Sequence, residues 1–393
     1  MLLKRRLALL TLIAGLHGWT GALTYRVLAN DSSEALLQQE QLAPAVLEDE
    51  QIWGSLGKPG DKWSLIRAVS HSLNYLKTPG ATEDYANFPI AEITRDRVQR
   101  SLNRFKTLLR TAPNPEALQS ALEKEFIAYP AAGNDGVGTV HFTSYFEPEY
   151  KASRKRTIEY RYPLYRKPKN FDSWPKPHPS RADLEGIDGL ASNKSPLSGQ
   201  ELVWLKDRLE AYLIQVQGTA KLQLTNGKTM TVGYAGSTDY PYTSIGKELI
   251  KDGVFTPEEL SLPVLIDYLR QNPAALSQYL PRNDRFIFFQ ETHGKPATGS
   301  LGVPVTAERS IATDKSLMPP GALVLIRTRI PFVQPNGEIE MRLVSRYVLD
   351  QDTGSAIKGP GRVDIFMGTG KIAGDRAGLV SHTGKMYYLL LKE

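Results

Sequence analysis

The run DTGSAIKGPGRVDIFMGTGKIAGDRAG, residues 352–378, decides how the C-terminal part of this 393-residue chain folds. Within it Arg362, Val363, Asp364, Ile365 and Phe366 form a short segment between glycines, the pattern of a β-strand. Alternation puts Asp364 and Phe366 on the face opposite Val363 and Ile365. Strands are depleted in aspartate, so one placed between two β-branched residues calls for a reason. The plain reason is that Asp364 points into water. The sharper one is that it lines a cleft in partly apolar surroundings, where its pKa rises and it keeps a proton near neutral pH.

Working outward, similar short apolar or alternating runs occupy 323–327, 343–349 and 386–391, separated by Gly, Pro and Asn. Together with 362–366 they predict a small β-barrel. Further upstream, 139–146 is β-rich. Across 213–234 two alternating strands are expected to flank Asn226-Gly227, a pair suited to the positive φ angles of a type I′ turn. Residues 151–184 are rich in basic residues and proline, with Tyr160, Tyr162, Tyr165, Phe171 and Trp174 interleaved, and read as an insertion. Before them the period changes to that of helices. Leu65, Ile66, Val69, Leu73 and Leu76 recur at three- and four-residue spacing, as do Val98, Leu102, Phe105 and Leu109 behind Thr94. Asn114-Pro115 supplies a cap and first-turn proline for a third helix. A helix is also expected over 244–251, and Thr256-Pro257-Glu258-Glu259 carries the start signals of another.

At the N-terminus Lys4, Arg5 and Arg6 precede an apolar stretch, 7–16, and Val27-Leu28-Ala29 offers a cleavage site. Residues 1–29 therefore read as an export signal cut after Ala29, with an uncleaved membrane anchor as the competing reading. The polar, aperiodic 30–60 reads as a linker. Cysteine is absent, which excludes disulfides, thiolate chemistry and a lipidated N-terminal cysteine. The expected location is the periplasm or cell envelope, not as a lipoprotein. Apolar content of 41% with 23% charged residues is that of an ordinary globular protein, and the net charge of +6 suits either an anionic partner or a plain basic surface. The six histidines form no HExxH pair, and GTGK at 368–371 lacks the spacing of a phosphate-binding loop. No metal, nucleotide or other cofactor is expected.

Two further aspartates stand out, Asp314 in IATDKSLMPPG and Asp352 in DTGSAIKG; each reads equally well as a turn acceptor. Three long, ordered stretches then carry a resemblance: YLIQVQGTAKLQLTNGKTMTVGYAGSTDYPYTSIGKELIKDG (212–253), GSLGVPVTAERSIATDKSLMPPG (299–321) and the 352–378 run. They resemble the MltA family of membrane-bound lytic transglycosylases from about Thr139 to the C-terminus, and the last part resembles the 3D domain, named for three aspartates. The resemblance implies a mainly β fold with helices: a double-ψ β-barrel domain, an inserted smaller β-domain, an N-terminal helical segment and a groove between the two domains. By motif position the barrel domain takes 61–149 plus 212–393, with the 3D region at about 299–393, and the insertion takes 150–211. The resemblance also implies that Asp364 is the catalytic acid/base, that Asp352 and Asp314 support it, and that Thr143, Tyr145, Gln217, Gly218 and Lys358 bind substrate. The implied partner is the peptidoglycan glycan strand; a monomer that binds no nucleic acid is expected, and the uncleaved-anchor reading of 1–29 would add membrane association through the N-terminal segment. The chain departs from the family pattern in lacking the lipidated cysteine and in a slightly longer loop between Asp352 and Asp364.

An ordinary glycosidase needs two carboxyl groups. A lytic transglycosylase can work with one, because its nucleophile is the sugar's own C6 hydroxyl, held beside the reacting carbon at high effective molarity. Two rivals share the sequence features. Asp352-Thr353-Gly354 is the triplet of aspartic proteases, although no second copy completes the dyad; a non-catalytic cell-wall binding protein is the other. Glu147 and Glu149 are candidates for an additional acid, and Arg154, Lys155, Arg156 and Arg161 for contacts to peptide-stem carboxylates.

Overall fold

The computed structural model describes residues 35–54, 59–191, 195–334 and 336–393, so the reading of 1–29 lies outside the described residues. The strand Arg362–Thr369 belongs to a closed ring of six strands. Ser381–Leu391 pairs antiparallel with Leu323–Val333, which pairs antiparallel with Ile339–Asp352. That strand lies parallel to Ser310–Ala312, which is antiparallel to Arg362–Thr369. Arg362–Thr369 is parallel to Val140–Glu147, and this last strand closes the ring antiparallel on Ser381–Leu391. Two parallel pairs among antiparallel ones make this the expected double-ψ barrel. Val363 and Ile365 are fully buried with Phe142, Ile311 and Tyr388 in the core, so the alternation around Asp364 is as expected.

The helices Lys62–Tyr75, Arg95–Thr111 and Pro115–Glu125 share that core through Leu65, Val69, Val98, Leu102, Phe105 and Leu122. Thr94 caps the second, accepting from the Arg97 N–H at 3.1 Å. The described part of the expected linker is not a tether. Residues 35–54 dock on the barrel with Ala35, Leu36, Leu42, Leu47 and Ile52 buried, and Glu40 exchanges main-chain hydrogen bonds with Ala128. The apolar residues are too irregularly spaced for a helical or strand period to reveal them. No helix among the described residues is long and apolar enough to cross a membrane.

A second, six-stranded sheet runs in the order Tyr162–Tyr165, Glu201–Leu205, Glu149–Ser153, Thr219–Leu224, Thr229–Ser237, Ile287–Glu291. It therefore draws strands from well past residue 211, the end expected for the insertion. The hairpin around Asn226-Gly227 is present, but its first strand starts at Thr219. Leu213 belongs instead to the helix Arg208–Gln217, started by Asp207, whose carboxylate accepts from the Leu209 N–H at 2.7 Å, and stopped by Gly218 at φ +78°. Thr256–Glu259 forms only a turn. The next helix, Leu262–Gln271, begins behind Ser261 with Pro263 in its first turn.

Candidate active site

The pairing registers align Asp352, Ala312, Asp364, Thr143 and Ser381 in one row across five neighbouring strands. Asp364 is half-buried and lines a cleft of about 790 Å³. Its Oδ1 accepts from the Thr143 hydroxyl at 2.7 Å. Burial pushes the Asp364 carboxyl up to a pKa of about 6; the Thr143 hydrogen bond and the Arg362 charge oppose the rise, and the Asp352 charge adds to it. A carboxyl so placed can give a proton near neutral pH and take one back.

Asp352 is half-buried beside the cleft and is not among its lining residues. Its Oδ2 accepts from the Tyr145 hydroxyl at 2.7 Å, and its Oδ1 from the Ser300 and Thr353 N–H groups, each at 2.8 Å. Burial raises its pKa further than these donors and Lys315 lower it. Tyr145 does line the cleft, with its ring 5.2 Å from that of Phe366, so Asp352 meets the cleft through Tyr145. Asp314 stands behind the loop that follows Asp352. Its Oδ2 accepts from the Gly359 N–H at 3.0 Å and its Oδ1 from the Ser316 hydroxyl at 2.7 Å. Burial raises its pKa, but these donors and Lys358 outweigh burial and hold the carboxyl below its ordinary value. Asp314 thus fastens one end of the segment whose Gly354–Ile357 part forms cleft wall.

Among the other expected residues, Thr143 and Gln217 line the cleft, the latter accepting from the Phe146 N–H at 3.0 Å. Gly218 lies outside the lining as the helix cap, and Lys358 is exposed, 3.8 Å from Asp314. Glu147 is buried between the Thr219 and Thr369 hydroxyls and Glu149 pairs with Lys221, so neither lines the cleft as an extra acid. Arg154 pairs with Glu291, and Arg156 and Arg161 line a separate small hollow.

The facing wall is held by Arg181, which no motif marked. Arg181 is almost fully buried and its guanidinium donates to Gln215 Oε1 at 2.9 Å, to the Asn283 carbonyl at 2.8 Å and to the Arg285 carbonyl at 2.6 Å. One cation thereby fixes three residues of the wall. These partners lie up to 104 positions from Arg181, so periodicity and spacing could not join them. Arg362 is different: it shares the face of Asp364 by simple alternation, and that signal was present in the strand. Among the described lining residues Asp364 is the single carboxylate, set against Lys247, Arg285 and Arg362, and against Arg181, whose charge is paired with Glu185 at 3.2 Å.

Comparisons with known proteins agree with this arrangement. Residues 141–290 match the MltA specific insert domain and 309–390 the 3D domain. The chain is 32% identical over 264 residues to membrane-bound lytic murein transglycosylase A of Escherichia coli (strain K12), covering 67% of this chain and 68% of that protein. It is 30% identical over 264 residues to the protein of the same name from Vibrio cholerae, covering 66% and 68%. The structure of E. coli MltA with bound chitohexaose aligns with a TM-score of 0.67 at 26% identity, over 91% of this chain and 94% of that one. A membrane-bound lytic murein transglycosylase from Agrobacterium tumefaciens aligns with a TM-score of 0.66 at 25% identity, over 84% and 93%. With a 3D region forming the acid-bearing barrel and an MltA insert forming the opposite sheet, this chain belongs to the MltA family of lytic murein transglycosylases.

Proposed function

We propose that this protein cleaves the β-1,4 bond between MurNAc and GlcNAc in peptidoglycan, forming 1,6-anhydro-MurNAc ends, with Asp364 as acid and then base. The observation that carries this reading is a lone carboxyl on the cleft wall with its pKa raised to about 6. Hydrolysis would call for a second carboxyl to activate water or attack the sugar. The nearby carboxylates are already committed to Tyr145, to the 355–359 segment and to two threonines.

In the first half of the reaction Asp364 gives its proton to the glycosidic oxygen as the bond from C1 to that oxygen breaks. In the second, the Asp364 carboxylate takes the C6 hydroxyl proton while O6 bonds to C1, which restores the acid. The intramolecular attack replaces what a second carboxylate supplies. Thr143 supports the ionised form, and the carboxylate of Asp364 itself faces the positive charge developing on the ring. On this reading Asp352 orients Tyr145, Asp314 holds the loop, and Gln217 presents its side chain to the glycan. The inserted sheet, taken as about 148–291, supplies the opposing wall. The protein acts in the cell envelope on glycan strands, as a monomer.

The test is mass analysis of fragments released from purified sacculi. Wild type is expected to yield anhydro-ended muropeptides, and Asp364→Asn to lower their rate by about 10²- to 10⁴-fold while still binding glycan. Undiminished release by a folded Asp364→Asn protein removes the assignment. Binding of sacculi without release favours a binding protein, and cut peptides favour the protease alternative.

A further inference from the structure

The geometry points to a carboxylate-binding subsite within the cleft, formed by Arg362 and aimed by His141, that takes a carboxylate carried by the muramyl residue at the scissile bond. This rests on the function proposed above and specifies what the cleft selects. Arg362 lies two residues before Asp364 on the same strand face, about 7 Å along the strand, and both line the cleft. Its Nη1 donates to His141 Nδ1. A guanidinium only donates, so Nδ1 must be the accepting nitrogen and the ring proton sits on Nε2, 3.3 Å from the Ser381 hydroxyl. Burial and the Arg362 and His382 charges keep the pKa of His141 below its ordinary value, which suits a neutral acceptor. His141 therefore fixes the direction of the guanidinium without neutralising it.

No carboxylate among the described residues pairs with Arg362, and the same holds for Lys247 and Arg285 on the other wall. The Nε of Arg285 is buried with no hydrogen-bond partner among the described residues. The cleft thus holds cations in excess of its one carboxyl, the pattern expected for an anionic ligand. A neutral sugar chain offers Arg362 only hydroxyls and amides. A muramyl residue adds a lactyl group on O3, two ring carbons from the reacting C1, ending in a carboxyl that is free in stem-less strands and amide-linked where a peptide stem follows. A planar guanidinium held from one side and open on the other matches a carboxylate, which it can grip with two parallel hydrogen bonds.

The experiment compares wild type with Arg362→Gln on three substrates: stem-free glycan strands with free lactyl carboxylates, the same strands converted to methyl amides, and stem-bearing strands. Chitohexaose binding provides a neutral reference. For Arg362→Gln, kcat/KM on the carboxylate strands is expected to fall about ten- to hundredfold. Arg362 also acts on the Asp364 acid, an effect that all three substrates share, so the readout is the fall on carboxylate strands beyond that on amidated strands, and Arg362→Lys is expected to recover part of it. A fall confined to stem-bearing strands assigns the bound carboxylate to the stem instead of the lactyl group. Equal falls on charged and amidated strands, or no fall on any, overturn the subsite. Failure of the underlying function reads out separately, as no anhydro ends from wild type on any strand, while binding of charged against amidated strands by the two proteins still tests Arg362.

Discussion

Two opposing pulls set the proton on Asp364. Burial disfavours its charge, and the Thr143 hydroxyl and Arg362 favour it, with about 6 as the outcome. A reaction that begins with the protonated acid should therefore lose kcat/KM as pH climbs through that value. Thr143→Val removes a donor to the ionised form, so the falling limb should move to higher pH in a pH–rate profile; a limb that stays in place would mean that Thr143 does not tune the acid. The raised pKa also has a cost in stability. Below about pH 4 the carboxyl is protonated in both folded and unfolded chains; above about 6 it is ionised in both, but ionised unfavourably when folded. Asp364→Asn should accordingly stabilise the fold by on the order of 1–3 kcal/mol at pH 8, a gain that shrinks towards pH 4, as read from Tm at the two pH values. The exceptional position of this aspartate was legible in the sequence because a strand rarely carries one between Val and Ile. The cations facing it were not, because Arg181 and Arg285 acquire their meaning only when two distant segments meet.

At the scale of elements, five of the six barrel strands followed from short β-rich runs, the three-residue Ser310–Ala312 left no such run, and the stretch before Asn226-Gly227 read as strand is helix. Leu213, Gln215 and Gln217 alternate with Ile214 and Val216 in a way that suits a strand, and the turn signal downstream reinforced it. The capping residues decide otherwise: Asp207 accepts from the Leu209 N–H, and Gly218 adopts the left-handed conformation that ends the helix. That geometry carries Gln215 and Gln217 to the cleft on a rigid helix end. Gly218 then has a structural reason of its own, and no neighbour lies within 4 Å of where a Cβ would stand. Gly218→Ala should thus cost only the backbone conformation, about 1 kcal/mol in urea unfolding. A loss several times larger would mean that this corner carries more than the helix stop.

At the scale of the whole molecule, the segment read as a linker is what fastens the barrel beside its acid. Asp49 is 5% exposed, and its carboxylate accepts from Arg309 Nη1 at 2.5 Å, from Arg346 Nη1 at 3.1 Å and from the Tyr347 N–H at 2.9 Å. Arg309, fully buried, also grips Asp61 with two hydrogen bonds of 2.6 and 2.8 Å. It immediately precedes Ser310–Ala312, the strand that lies between Asp352 and Asp364 in the pairing row. Nothing in the local pattern around Asp49 announces this, since Arg309, Arg346 and Tyr347 lie 260 to 298 residues away. Burial raises the pKa of Asp49, but the two guanidinium charges and the hydrogen bonds outweigh burial and bring it below the ordinary carboxylate value. The contribution is therefore fully present above the unfolded pKa and is lost as pH falls through the folded one. Asp49→Asn leaves two buried cations short of their counter-charge and should destabilise the protein by about 3–5 kcal/mol at pH 7. The gap to wild type should narrow in acid, as wild-type Asp49 itself takes up a proton. Urea unfolding at pH 7 and near pH 3 measures both; a variant as stable as wild type at neutral pH would reduce the docked segment to a passive cover over the barrel.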